Sequence, residues 1–158
     1  MEHISNWVDG AHASPSSDTL LVTNPATEDA LASVDSSARA AVEDIISKSL
    51  HNFHRGPWPR ADASERFSVL ARAAQLLRAR LPEFVDSEVQ QTGRPVREMN
   101  AQLARVPEWL EYFASLARVQ EGAVTPFKGP VVNTLVRQPL GVVALITPWN
   151  RTSLPVYT

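Results

Sequence analysis

The feature that constrains this chain most is one hexapeptide, Gly141-Val142-Val143-Ala144-Leu145-Ile146. It carries no polar residue at either parity, so an extended strand built from it is apolar on both faces. Such strands belong in parallel sheets covered on both sides, and parallel pairing requires crossover connections, usually helices. The expected fold class is therefore α/β. The longest wholly apolar run, Val142 to Ile146, is far short of the ~20 residues a membrane helix needs. It stops at Thr147-Pro148-Trp149-Asn150, at what would be the carboxyl end of the strand.

The rest of the chain supplies strands and then helices. Asp9-Gly10 is a hairpin signal after Ile4 to Val8. Leu20 to Val22 reads as a strand ending at Asn24-Pro25-Ala26-Thr27, and Ala30 to Val34 resumes an extended pattern. From a Ser37 cap, Val42, Ile45, Ile46, Leu50 and Phe53 recur at helical spacing until Gly56-Pro57. A second helix, capped near Asp62 or Ser64, buries Phe67, Leu70, Ala74, Leu77 and Leu81. Pro82 opens a third that ends at Thr92-Gly93. A fourth runs from Val96 to about Glu121, kinked or split at Pro107, with Trp109, Tyr112, Phe113 and Leu116 as a core stripe. Three divisions follow: 1–124, hairpins and helices; 125–140, strands; 141–158, the start of a buried sheet.

Composition narrows the function classes. Hydrophobic residues make up 44% and charged residues 20%, enough for a packed core. Fifteen basic against seventeen acidic residues leave a charge of -2, which argues against nucleic acid as a partner. The N-terminus shows no secretory pattern and no membrane segment is visible, so a cytoplasmic location is expected. There is no cysteine, hence no disulfide, no thiolate metal site and no cysteine nucleophile.

The strongest chemical candidate is Asn150. Ligands of open α/β sheets bind beyond the carboxyl ends of strands, and an amide there can donate to an oxygen that gains negative charge. An asparagine after tryptophan also serves as a loop cap, and the residues alone leave both readings open. His51 and His54 stand three apart at a helix end without a third ligand, so no metal site is expected. Arg60, Arg66, Arg72, Arg78 and Arg80 interleave with Asp62, Glu65 and Glu83 and read as a solvated helix face. Ser64-Glu65 reads as a helix start.

Taken in order, several fragments resemble the NAD(P)-dependent aldehyde dehydrogenase superfamily. Pro139 to Asn150 resembles its cofactor-cleft segment, and Asn24-Pro25-Ala26-Thr27 its second hairpin. Trp58 with Arg66, Leu70 and Arg72 is similar to its tryptophan-then-arginine helix, and Thr92-Gly93-Arg94-Pro95 to its Thr-Gly-Lys-Pro turn. Tyr112 to Ala117 is similar to an aromatic-Ala-Gly-Leu-Ala helix. The resemblance implies the N-terminal part of that fold, with subunit pairing through 125–141. It also implies a chemistry. A cysteine thiolate attacks an aldehyde, hydride passes to NAD or NADP, and a glutamate activates water to release the acid. Asn150 would donate to the carbonyl oxygen, and Ile146, Thr147, Pro148 and Trp149 would line the cofactor cleft.

Three departures qualify the expectation. The family's nucleophile, glutamate and glycine-rich turn lie beyond the position of Asn150, and no Gly-x-Gly occurs here. Arg151-Thr152-Ser153-Leu154-Pro155 replaces the usual aromatic or histidine, proline and apolar residue. Gln91 stands where a carboxylate often helps hold a monovalent cation, so no cation site is expected. The expected function is thus that of an aldehyde dehydrogenase family member, truncated before its nucleophile and inactive alone. The alternatives are a non-catalytic relative acting by association and, least favoured, an unrelated helical adaptor.

Overall fold

The computed structural model describes residues 2–148. Two short sheets open the chain. β2 (Trp7–Val8) and β3 (Ala11–His12) form a hairpin whose turn holds Asp9 at φ 53 and Gly10 at φ 82. Positive φ at both central positions is the geometry that makes Asp-Gly a hairpin signal. β4 (Thr19–Thr23) and β5 (Ala30–Asp35) pair antiparallel, joined through a loop in which Asn24 Oδ1 accepts from the Ala26 N–H. One strand has no local signal. β1 (Glu2–Ile4) lies parallel to β5 on its other edge, giving the order β1-β5-β4.

The helices follow the apolar periodicity closely. α1 (Arg39–Arg55) starts after Ala38 rather than on a Ser37 side-chain cap, because the Ser37 hydroxyl accepts from Asn6 Nδ2. α2 (Ala63–Ala79) opens with a reciprocal cap: Asp62 Oδ1 accepts from the Glu65 N–H, and Glu65 Oε2 from the Asp62 N–H. α3 (Leu81–Thr92) ends at Gly93, which takes the left-handed conformation at φ 70. The fourth helix is split: α4 (Val96–Leu103) breaks at Ala104, and α5 (Arg105–Arg118) holds Pro107 in its first turn. Proline is tolerated there because that N–H has no helical acceptor.

α2 packs along α5 and α3 against α4. Val85, Met99, Leu103 and Val106 form the core, with Leu77, Leu81 and Val89 against it. Ala74 and Ala114 are fully buried where small side chains let helices approach. The predicted stripe of α2 is buried or half-buried throughout.

Two expectations are corrected. The stripe Trp109, Tyr112, Phe113 and Leu116 is a surface feature, because α5 turns Val106 and Ala114, not the aromatics, into the core. Its rings instead contact one another, with centroids 5.3–6.1 Å apart. Gly141–Ile146 forms no strand, and Val142, Val143, Leu145 and Ile146 are exposed. A buried parallel strand needs hydrogen-bonding neighbours, and among the described residues none pairs with it. Upstream of it, β6 (Ala123–Thr125) and β7 (Asn133–Leu135) form an antiparallel ribbon, exposed at every position.

Candidate functional site

The strap from Pro139 to Pro148 runs past the corner between α1 and α2. Phe53 from α1, Trp58 and Pro59 from a 3₁₀ turn (Trp58–Arg60), Arg66 from α2 and Pro139–Val143 of the strap line one cavity of about 580 Å³. Gly141 meets this wall at φ +105, a conformation that favours glycine. A Cβ added there would stand 3.9 Å from Phe53 Cε1.

Arg66 is not on a solvated face, contrary to the sequence reading. It is half-buried, and its Nη2 donates to the Pro59 carbonyl at 3.2 Å and more weakly to that of Trp58 at 3.4 Å. Its guanidinium carbon lies 6.0 Å from the Trp58 ring centroid, and its Nε–H is buried without a partner among the described residues. The eight-residue spacing from Trp58 was the available signal, but charge alternation masked it.

The other sequence candidates are dispersed. Ile146 and Pro148 are exposed and Thr147 is half-buried. Trp149, Asn150 and the segment 151–155 lie outside the described residues. His51 and His54 are exposed, and the His54 ring meets Phe53 edge-on, centroids 5.1 Å apart. Gln91 Nε2 donates to Ser87 Oγ. Arg78 forks onto Glu111 across α2 and α5 at 2.8 and 3.0 Å, which holds the Glu111 carboxyl below the usual glutamate range.

A further polar group was not foreseen. His3 stands between Ser33 Oγ (3.0 Å from Nδ1) and Asp35 Oδ1 (3.2 Å from Nε2), and Asp35 Oδ1 also accepts from the Ser16 N–H. The order serine, histidine, aspartate suggests a nucleophile and base. Yet from β5 the groove is lined by Leu31, Ala32 and Val34, and by neither Ser33 nor Asp35. The group fastens β1 and the Ser16 loop to β5.

Comparison with known proteins decides the lineage. The model of the aldehyde dehydrogenase family matches residues 12–156. The chain belongs to the aldehyde dehydrogenase family. It is 29% identical over 151 residues to 5-carboxymethyl-2-hydroxymuconate semialdehyde dehydrogenase of Escherichia coli, covering 95% of this chain and 32% of that protein. It is 34% identical over 128 residues to (Z)-2-((N-methylformamido)methylene)-5-hydroxybutyrolactone dehydrogenase of Acinetobacter baylyi, covering 80% of this chain and 26% of the relative. Among solved structures, an aldehyde dehydrogenase from Brucella melitensis biovar abortus 2308 superposes with a TM-score of 0.88 at 27% identity, over 95% of this chain and 31% of that one. Betaine aldehyde dehydrogenase from Staphylococcus aureus, solved with NAD+, shares the fold at a TM-score of 0.89 and 24% identity, over 97% and 31%. The chain thus spans about a third of the length of the relatives it matches. The α/β class and the family expected from the sequence both hold.

Proposed function

We propose that this chain contributes the N-terminal share of an NAD(P)-dependent aldehyde oxidation, with Asn150 as the donor to the aldehyde carbonyl oxygen. The single observation that supports the reading is the agreement of fold over 95% of the chain, in a sequence that keeps Pro139 to Asn150 in order.

The described residues fit one end of a nicotinamide cofactor. Around Ile146 to Pro148 the strap offers an exposed aliphatic side chain, a hydroxyl and backbone groups with no strand partner, suited to a flat amide-bearing ring. They offer no cradle for a pyrophosphate, since the chain contains no Gly-x-Gly. The bound cofactor supplies a hydride acceptor. The chain's share is orientation: Ile146, Thr147, Pro148 and Trp149 wall the nicotinamide, and the Asn150 amide donates to the substrate oxygen as it gains charge. Donors placed this way are worth about 3–4 kcal/mol in other enzymes. With no cysteine, the chain cannot supply the thiolate nucleophile itself.

Two measurements test this. The purified chain, given NAD+ or NADP+ and a panel of aldehydes, should reduce no cofactor; reduction above the blank overturns the assignment of roles. Saturation-transfer NMR with NAD+ should show transfer to nicotinamide protons. No transfer, or transfer confined to the adenine, contradicts the wall.

The exposed ribbon favours a second reading, association with another copy through 125–141. Val131, Val132, Leu135 and Val136 are all exposed there, and a strand edge of this kind invites pairing. Sedimentation should show an apparent mass that rises with concentration and falls in the double variant Val132→Lys, Val136→Lys. A monomer at every concentration removes this reading. An aldehyde substrate, a cytoplasmic location and partners other than nucleic acid belong to the same proposal. No helix among the described residues is long and apolar enough to cross a membrane.

A further inference from the structure

We infer that Phe53 and Arg66 are positioning residues: with Trp58 they form a seat on which the Pro139–Val143 strap rests, and so set the direction in which the chain leaves toward Asn150. This rests on the role given to Asn150 above.

Three independent observations meet at the seat. First, strap and seat wall the same cavity, while no backbone hydrogen bond joins Pro139–Val143 to another element among the described residues. Second, Gly141 passes the Phe53 ring with room for little more than one carbon between them, in a conformation other residues rarely adopt. The positive φ and the van der Waals approach to Phe53 thus coincide at Gly141. Third, Arg66 is fixed by the carbonyls of the 3₁₀ turn and the Trp58 face, and its Nε–H is buried without an acceptor among the described residues.

α1 and α2 do not need the strap to hold Phe53 and Arg66, since both side chains sit within regular helices. The dependence runs from seat to strap. Limited digestion of the whole chain with chymotrypsin, read by mass spectrometry, separates the two. Cuts after Leu140 and Leu145 report the strap; cuts after Tyr112 and Phe113 report α5. In Phe53→Ala and in Arg66→Lys, which keeps the charge but loses the Nε–H and the planar fork, strap cuts should rise about fivefold or more while α5 cuts hold. Phe53→Leu should restore most of the protection. Strap cuts unchanged in both variants, with α5 intact, overturn the inference. If α5 cuts rise in Phe53→Ala, the body itself has loosened, and Arg66→Lys alone decides. The digest contains neither cofactor nor aldehyde. Loss of nicotinamide transfer with this digestion pattern intact would therefore sink the functional reading and leave the seat standing.

Discussion

The helical body and the arm from Ala123 to Pro148 are both rich in apolar residues, yet they end in opposite environments. In the body, Val85, Met99, Leu103 and Val106 are almost fully buried. In the arm, Val132, Val136, Leu140 and Ile146 stand at 72–95% exposure. Hydropathy does not separate them; the source of their hydrogen bonds does. A helix satisfies its backbone internally and needs from the chain only one apolar face to meet, which α2 and α5 give each other. A strand needs neighbours on its edges, and among the described residues β6 and β7 find only each other while Gly141–Ile146 finds none.

The sharpest way to break this comparison is to remove the same side chain from each region. Leu103→Ala should cost about 2–5 kcal/mol in urea unfolding, as buried leucines do when the cavity only partly closes. Leu145→Ala should stay within about 0.5 kcal/mol, as for an exposed site. Equal losses would mean that the arm is packed and the contrast wrong.

A smaller effect tests the joint between the early sheet and the body. Gly93 holds φ +70, and an added Cβ would come within 2.9 Å of Pro25 Cγ in the β4–β5 loop. Gly93→Ala should therefore lose about 1–2 kcal/mol, the usual penalty of a left-handed alanine, with the contact adding to it. An unchanged urea midpoint would show that loop and helix end are not fixed to each other.

How much of this was legible in sequence follows the same division. Local chemistry could be read: Asp9-Gly10 as a hairpin turn, a helix start near Asp62 or Ser64 that the structure places at Asp62, Gly93 at the helix end and the break near Pro107. Each depends on residues within a few positions. What could not be read depends on distant partners: the parallel seat of β1 on β5, the withdrawal of Arg66 from solvent and the outward turn of the α5 aromatics. The candidate site divides likewise. Ile146, Thr147 and Pro148 are proposed from a family resemblance of the local sequence, whereas the cavity behind Gly141 depends on α1 and α2, about 75 to 90 residues upstream.

Asp62→Ala should lose about 1 kcal/mol, the common value for an N-cap, measured by the same unfolding curve. Such a loss, confined to the body, would be absent in Ala substitutions at exposed arm positions. A zero effect would show that α2 is held by packing on α5 alone.

The smallest effect concerns the one fork between those two helices. Arg78 donates both Nη atoms to Glu111, and this hydrogen bonding holds the Glu111 carboxyl below its ordinary value of 4.5. A carboxyl whose folded value is depressed stabilises the fold above the unfolded value and loses that contribution as pH falls through the folded one. Glu111→Gln keeps the side chain's shape and an acceptor for Arg78 while removing the charge. Wild type should thus exceed the variant in urea midpoint at neutral pH by a small margin, and the two should converge as pH falls below 4.5 and through the depressed folded value. Both side chains are about half exposed, so added salt should shrink the neutral-pH margin as well. The absence of a margin at neutral pH would assign the fork's contribution to shape, which the variant keeps, rather than to charge. It would also make the α2–α5 interface a matter of packing from end to end, sharpening its contrast with the unpaired arm.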